Sequence, residues 1–127
     1  MKSLISLLVT VILGCSAAFA NGPEMKITES SHDFGNIKEA NGSVSYEFEF
    51  VNSGDEPLII LSAKTSCGCT VPSYPKKPIK PGEKDKIKVT YNPAGRPGEF
   101  HKEVRIKTNA KSKTSVVKIS GVVIPKK

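Results

Sequence analysis

Val44-Ser45-Tyr46-Glu47-Phe48-Glu49-Phe50-Val51 decides the fold class. Val44, Tyr46, Phe48 and Phe50 fall on one side of an extended chain, with Ser45, Glu47 and Glu49 on the other. Side chains of a strand alternate between faces, so the stretch reads as a strand with one buried and one wet face. The turn cluster Asn52-Ser53-Gly54-Asp55-Glu56-Pro57 stops it, with Gly54 free to take positive φ and Pro57 fixing its own.

The same signal recurs outward in both directions. Residues 26–34 open the series, and residues 58–63 form a short apolar run suited to a strand buried on both faces. Residues 71–84 carry prolines at 72, 75, 78 and 81, so this stretch is an extended edge or loop. Residues 85–91 turn Ile87, Val89 and Tyr91 inward. After a Pro/Gly-rich connection, residues 99–108 place Phe100, Val104 and Ile106 opposite His101, Glu103, Arg105 and Lys107. Residues 115–124 close the chain as a last strand. About seven short strands and no helical period after residue 21 predict an all-β, immunoglobulin-like antiparallel β-sandwich. Its expected core includes Tyr46, Phe48, Phe50, Ile87, Val89, Phe100, Val104 and Ile106. No tryptophan is present to fill that core.

Residues 1–20 read as a secretory signal peptide: Lys2, an apolar stretch from Leu4 to Leu13, then the small-x-small site Ala18-Phe19-Ala20. Cleavage there leaves one domain, residues 21–127, in the periplasm or cell envelope. A rival lies inside the segment, because Ile12-Leu13-Gly14-Cys15 resembles a lipobox; lipidation of Cys15 would tether the domain to a membrane. No later segment is long and apolar enough for a transmembrane helix.

The chain carries 19 Lys+Arg against 12 Asp+Glu, a formal charge of +7. The lysines mostly alternate with apolar residues, as in Lys86-Ile87-Lys88-Val89, which is the pattern of a solvated strand face. Together with export, this argues against nucleic acid as a partner; an envelope protein adding a strand to a sandwich edge is the partner the setting allows.

Cys67-Gly68-Cys69 is the candidate site. A disulfide stabilises by closing a loop, and this loop is almost as short as a loop can be. Gly68 lets the chain pinch so that the sulfurs can meet. The pair is read as a disulfide or dithiol, with four uses open, one of them pairing with cysteines of another chain. It can brace a turn, exchange with a partner thiol, or bind a soft metal, copper(I) being the natural choice for two thiolates. Zinc fits less well, because two sulfurs make half a tetrahedral site. His32 is a further candidate ligand, though a histidine fixing the first strand is the plainer reading; His101 alternates outward as an exposed polar residue. No cofactor is otherwise expected. Enzyme signatures are missing: there is no H-E-x-x-H, no G-x-S-x-G and no phosphate-cradling glycine loop.

Several blocks together resemble a known family. Ser31-His32-Asp33-Phe34-Gly35-Asn36-Ile37, residues 50–60, Ser66-Cys67-Gly68-Cys69-Thr70, Pro81-Gly82, Gly98-Glu99-Phe100-His101-Lys102 and Ile119-Ser120-Gly121-Val122-Val123 are similar to the bacterial envelope family of unknown function DUF 1573. The resemblance implies an immunoglobulin-like sandwich akin to Hydin-type, major-sperm-protein-like and pilus-chaperone domains. It marks His32, Asp33, Phe34, Gly35 and Gly68 as motif residues beside the cysteines. It implies no activity. The functional expectation is a non-catalytic protein-binding or structural module, with a dithiol protein handling copper(I) or exchanging disulfides as the alternative.

Overall fold

A computed structural model of the chain describes residues 22–126. Residues 1–20, read above as a signal peptide, and Cys15 within them lie outside the described residues.

The alternating stretch forms β3 (Val44–Asn52), the longest strand of the first sheet. It is flanked by β1 (Met25–Ile27) and β6 (Lys84–Tyr91), and β5 (Thr70–Ser73) lies beyond β6, giving the order β1-β3-β6-β5. The second sheet has the order β2-β8-β7-β4, built from β2 (Ser31–Lys38), β4 (Ile60–Lys64), β7 (Gly98–Thr108) and β8 (Thr114–Ile124). Taken in chain order as A, A′, B, C, D, E, F and G, these are the ABED and CFG sheets of an immunoglobulin-like sandwich, with A′ added beside G.

Two inner faces meet to make one core. Phe48, Phe50, Ile87, Val89, Tyr91, Phe100, Val104 and Ile106 are all buried in it, as expected, together with Leu58, Ile79, Val117, Ile119 and Val123. Tyr91 and Phe100 stack across the sheets with centroids 4.0 Å apart. The outer faces are charged. Glu47 stands opposite Lys88, and Glu49 opposite Lys86, so the lysine alternation is a solvated face with cross-strand partners.

Four features differ from the sequence reading. Residues 26–34 are not one strand: polar Thr28, Glu29 and Ser30 carry the chain from one sheet to the other, which makes eight strands. The pair β2–β8 is parallel, while every other pair is antiparallel. Residues 58–63 are buried on one face only. Leu58 and Ile60 point inward, but Ile59 and Leu61 are exposed, because β4 is an edge strand with a bulge between Ile60 and Ser62. Tyr46 is half-buried, since it lies beyond the end of β1, where Ile27 pairs with Phe50.

One buried amide closes the end of the sandwich where β3 stops. Asn52 is fully buried. Its Oδ1 accepts from the Glu24 and Gly54 amides (3.2 and 2.9 Å), and its Nδ2 donates to the Glu56 and Ile79 carbonyls (2.7 and 2.9 Å). The backbone of Asn52 donates to Glu83 O and accepts from Gly82 N. All four side-chain hydrogen-bonding positions are used, so one residue joins β1, the turn after β3 and the proline-rich return.

Asn52→Ala leaves the buried Ile79 carbonyl and three part-buried backbone groups without their side-chain partner, at about 1–3 kcal/mol for a fully buried group and less for the others. It should therefore destabilise by at least about 3 kcal/mol, comparable to the roughly 3–5 kcal/mol expected for Phe48→Ala. Chemical denaturation of both variants checks this; a loss under about 1 kcal/mol at Asn52 would show the hub to be dispensable.

Candidate functional site

Cys67-Gly68-Cys69 is the passage from β4 in one sheet to β5 in the other. Cys67 O accepts from Thr70 N (3.2 Å), closing a four-residue turn, and Cys69 O accepts from Asn92 N (2.9 Å), which continues the β5–β6 ladder. Within this turn the two sulfurs stand at bonding distance, with Cα atoms 5.2 Å apart. Gly68 is exposed, and a Cβ built on it would meet nothing within 4 Å, so open space lies above the turn.

The two sulfurs occupy different environments. Cys69 is 5% exposed, packed into the core with its Sγ 3.5 Å from Thr70 Oγ1. Cys67 is only partly buried, and its Sγ accepts the Cys69 N–H at 3.2 Å. Beside it, shallow grooves of about 440 and 360 Å³ meet at Ser66. They are lined by Lys64, Glu103 and Arg105 on one side and His101, Lys102 and Lys118 on the other. His101 Nε2 lies 3.4 Å from Glu99 Oε2, and both side chains are largely exposed on the rim.

The other motif residues lie elsewhere. His32 stacks on Tyr46 (centroids 3.8 Å, planes 9° apart) and meets Phe34 edge-on. Asp33 Oδ1 accepts the Gly35 N–H at 2.8 Å across the bulge between Asp33 and Asn36. Gly35 has φ 71°, the left-handed region that favours glycine. Its carbonyl packs on Gly121, where a Cβ would come within 2.9 Å of both Gly35 O and the Phe100 ring. This block is a packing seam that seats β2. It lies on the β2 edge, whereas the cysteines lie on the β4–β5 edge. Three strand spacings, about 14 Å, separate the two edges.

The structure therefore does not bring His32 to the cysteines. Among the described residues no three His, Cys, Asp or Glu side chains come together to hold a metal ion. Copper(I) on both thiolates would further require the Cys69 sulfur to turn out of the core. Sequence reading missed Thr70, although it directly follows Cys69. It also missed Asn92, whose contact is long-range and leaves no local signal.

A family described as protein of unknown function, DUF1573, matches residues 25–123. The chain belongs to the DUF1573 family. Among solved structures, this DUF1573 domain is similar to a protein of unknown function from Porphyromonas gingivalis W83, with TM-score 0.71 and 18% identity over 84% of this chain and 50% of that one. It spans about half of that protein's length. It is also similar to the ASH/PapD-like domain 7 of human CEP192, with TM-score 0.61 and 14% identity over 81% of this chain and 87% of that one. The E. coli chaperone DraB follows with TM-score 0.54 and 11% identity, over 81% and 56% of the two chains. At these identities the likeness concerns the fold alone. No curated protein matches the sequence.

The turn is held by backbone bonds that do not need the sulfur–sulfur bond. A one-residue loop also removes little entropy from the unfolded chain. Oxidised and dithiothreitol-reduced forms of the domain should differ in unfolding free energy by less than about 2 kcal/mol. A larger difference in parallel denaturation curves would make the pair a structural brace.

Proposed function

We propose that this chain is an exported cell-envelope module that binds an extended segment of another envelope protein along the open edge of β7. The observation that carries the reading is the mismatch between β7 and its neighbour. β4 pairs only with residues 105–108, so among the described residues no strand lies beside residues 98–104 on that side. Thr108 N bonds Lys113 O, and the β7–β8 register then runs without a bulge to Gly98–Val123. Backbone groups alternate sides along an antiparallel strand. The N–H and C=O groups of Glu99, His101 and Glu103 therefore face the free side.

A row of unpaired backbone groups is a template for an added strand, with pockets beside it to read alternate side chains. The grooves at Ser66 flank this row. β5 is a poorer acceptor. Pro72 pairs with Val89 at a position whose nitrogen faces away from β6, so its free edge lacks a donor there. β2 and β4 are each interrupted by a bulge. On β7, Lys102 takes the inward register between Phe100 and Val104 and is half-buried, a device that discourages indiscriminate pairing with copies of the chain. The export signal read in residues 1–20 supports the envelope setting.

Displayed peptides selected against the domain should show period-two apolar patterns. On binding, the amides of Glu99, His101 and Glu103 should gain hydrogen-exchange protection. His101→Pro removes one free-side donor without breaking a β7–β8 bond. It should weaken binding about tenfold or more while unfolding stays within roughly 1 kcal/mol of the parent. Protection that maps to β2 or β5 instead would overturn the assignment.

A further inference from the structure

The two cysteines differ in access, in hydrogen-bond partners and in what lies around them. From this asymmetry we infer that Cys67–Cys69 is a thiol–disulfide exchange site, with Cys67 the sulfur that meets an external thiol and Cys69 the sulfur that leaves. The substrate class is a protein dithiol presented on an exposed segment. The inference concerns chemistry at the turn and stands whether or not β7 accepts a strand.

Three observations carry it. Cys67 is partly exposed although one side of it packs on the core, it follows Ser66, which lines both grooves, and the space over Gly68 is open, whereas Cys69 is buried, so Cys67 is the more approachable sulfur for an incoming thiolate. The Thr70 hydroxyl is 3.5 Å from Cys69 Sγ and is placed to donate to the sulfur that acquires charge when the bond breaks. The Cys69 N–H, 3.2 Å from Cys67 Sγ, favours a thiolate on Cys67 when that sulfur is released.

The first step is attack by a partner thiolate on Cys67 Sγ. A sulfur–sulfur bond forms between partner and Cys67, the Cys67–Cys69 bond breaks, and its electron pair goes to Cys69 Sγ, which takes a proton from solvent. In the second step the partner's other thiolate attacks its own bridged sulfur. That forms the partner's disulfide and releases Cys67 as a thiolate. Two electrons pass from the partner dithiol to the Cys67/Cys69 pair, and the reverse sequence reduces a partner disulfide. The backbone bonds Thr70 N to Cys67 O and Asn92 N to Cys69 O frame the turn independently of the sulfur–sulfur bond.

Glutathione and iodoacetamide serve as probes on the mature domain. Cys69→Ser should trap a stable mixed disulfide between Cys67 and glutathione, seen by intact mass. Its Cys67 should alkylate about tenfold or more faster than Cys69 does in Cys67→Ser, as expected of an accessible against a buried thiol. If either variant misfolds, limited alkylation of the reduced parent followed by peptide mapping gives the same comparison. Thr70→Val should slow opening of the disulfide by glutathione several-fold while leaving Cys67 alkylation unchanged, which a merely structural threonine would not do. Equal alkylation rates, faster reaction at Cys69, or an unaltered opening rate in Thr70→Val would each overturn the assignment of roles. Failure of glutathione to open the parent disulfide would overturn the exchange site altogether.

Discussion

The architecture depends on a polar constraint, the buried amide of Asn52, as much as on its apolar core. Two sheets packed face to face leave chain ends and loops whose backbone groups must find partners once water is gone. At the end where β3 stops, Asn52 supplies partners to four such groups at once. The segment before β1 is held there, with Ser53 N bonding Glu24 O and Asp55 Oδ1 accepting the Gly22 N–H at 2.6 Å. Gly54 leaves the room this docking needs, since a Cβ there would press on the Gly22 carbonyl and come 2.8 Å from Glu24 N. The proline-rich return is caught through Ile79 O, which pulls Ile79 into the core opposite Leu58. Prolines forfeit ladder donors, so beyond β5 this segment pairs only through the single Leu58–Ile79 bridge.

The opposite end is closed differently. Tyr91 and Phe100 stack there, Cys69 packs beneath the β4–β5 turn, and the short helical turn Glu39–Asn41 bridges β2 to β3. Glu39 accepts the Gly95 and Lys126 amides, and these hydrogen bonds, with Gly95 the larger influence, hold its carboxyl below the usual range. A depressed carboxyl pKa stabilises the fold at neutral pH and ceases to do so as pH falls through it. One end is thus locked chiefly by a neutral amide, with the Asp55 carboxylate beside it on Gly22. The other carries both a titratable clasp and the two sulfurs.

What could be read from the sequence follows from range. Residues 44–51, 85–91 and 99–108 announce themselves because a strand with one wet face shows its period locally, and their inward residues are the core. The single polar break at Thr28, Glu29 and Ser30 gives little hint that the chain changes sheets there, and the parallel β2–β8 pairing is a contact between the two ends of the domain. The run 58–63 looked buried on both faces because composition cannot tell a central strand from an edge strand carrying Ile59 and Leu61 in the open. At the site, the cysteine pair was plain from its spacing. The difference between its members was not, since Cys69 is buried where β5 joins β6, a long-range pairing of Thr70 with Tyr91 that leaves no local signal. His32 drew attention as a possible ligand because its stacking partner, Tyr46, is brought to it only by the fold.

These constraints explain why the site sits where it does. A reactive sulfur needs exposure and a frame that does not change when its bond opens. Edge strands offer exposure but are prone to unwanted pairing, and this domain blunts most of its edges with bulges at β2 and β4 and with Pro72 on β5. The passage from β4 to β5 avoids that conflict. It leaves one sheet before β7 ends and enters the other at Thr70, so its frame comes from both sheets while its tip, Gly68, faces solvent. Leaving β7 early is also what frees residues 98–104. The open edge and the partly exposed Cys67 are therefore consequences of one chain crossing, and a partner strand lying along Glu99, His101 and Glu103 would run beside Ser66.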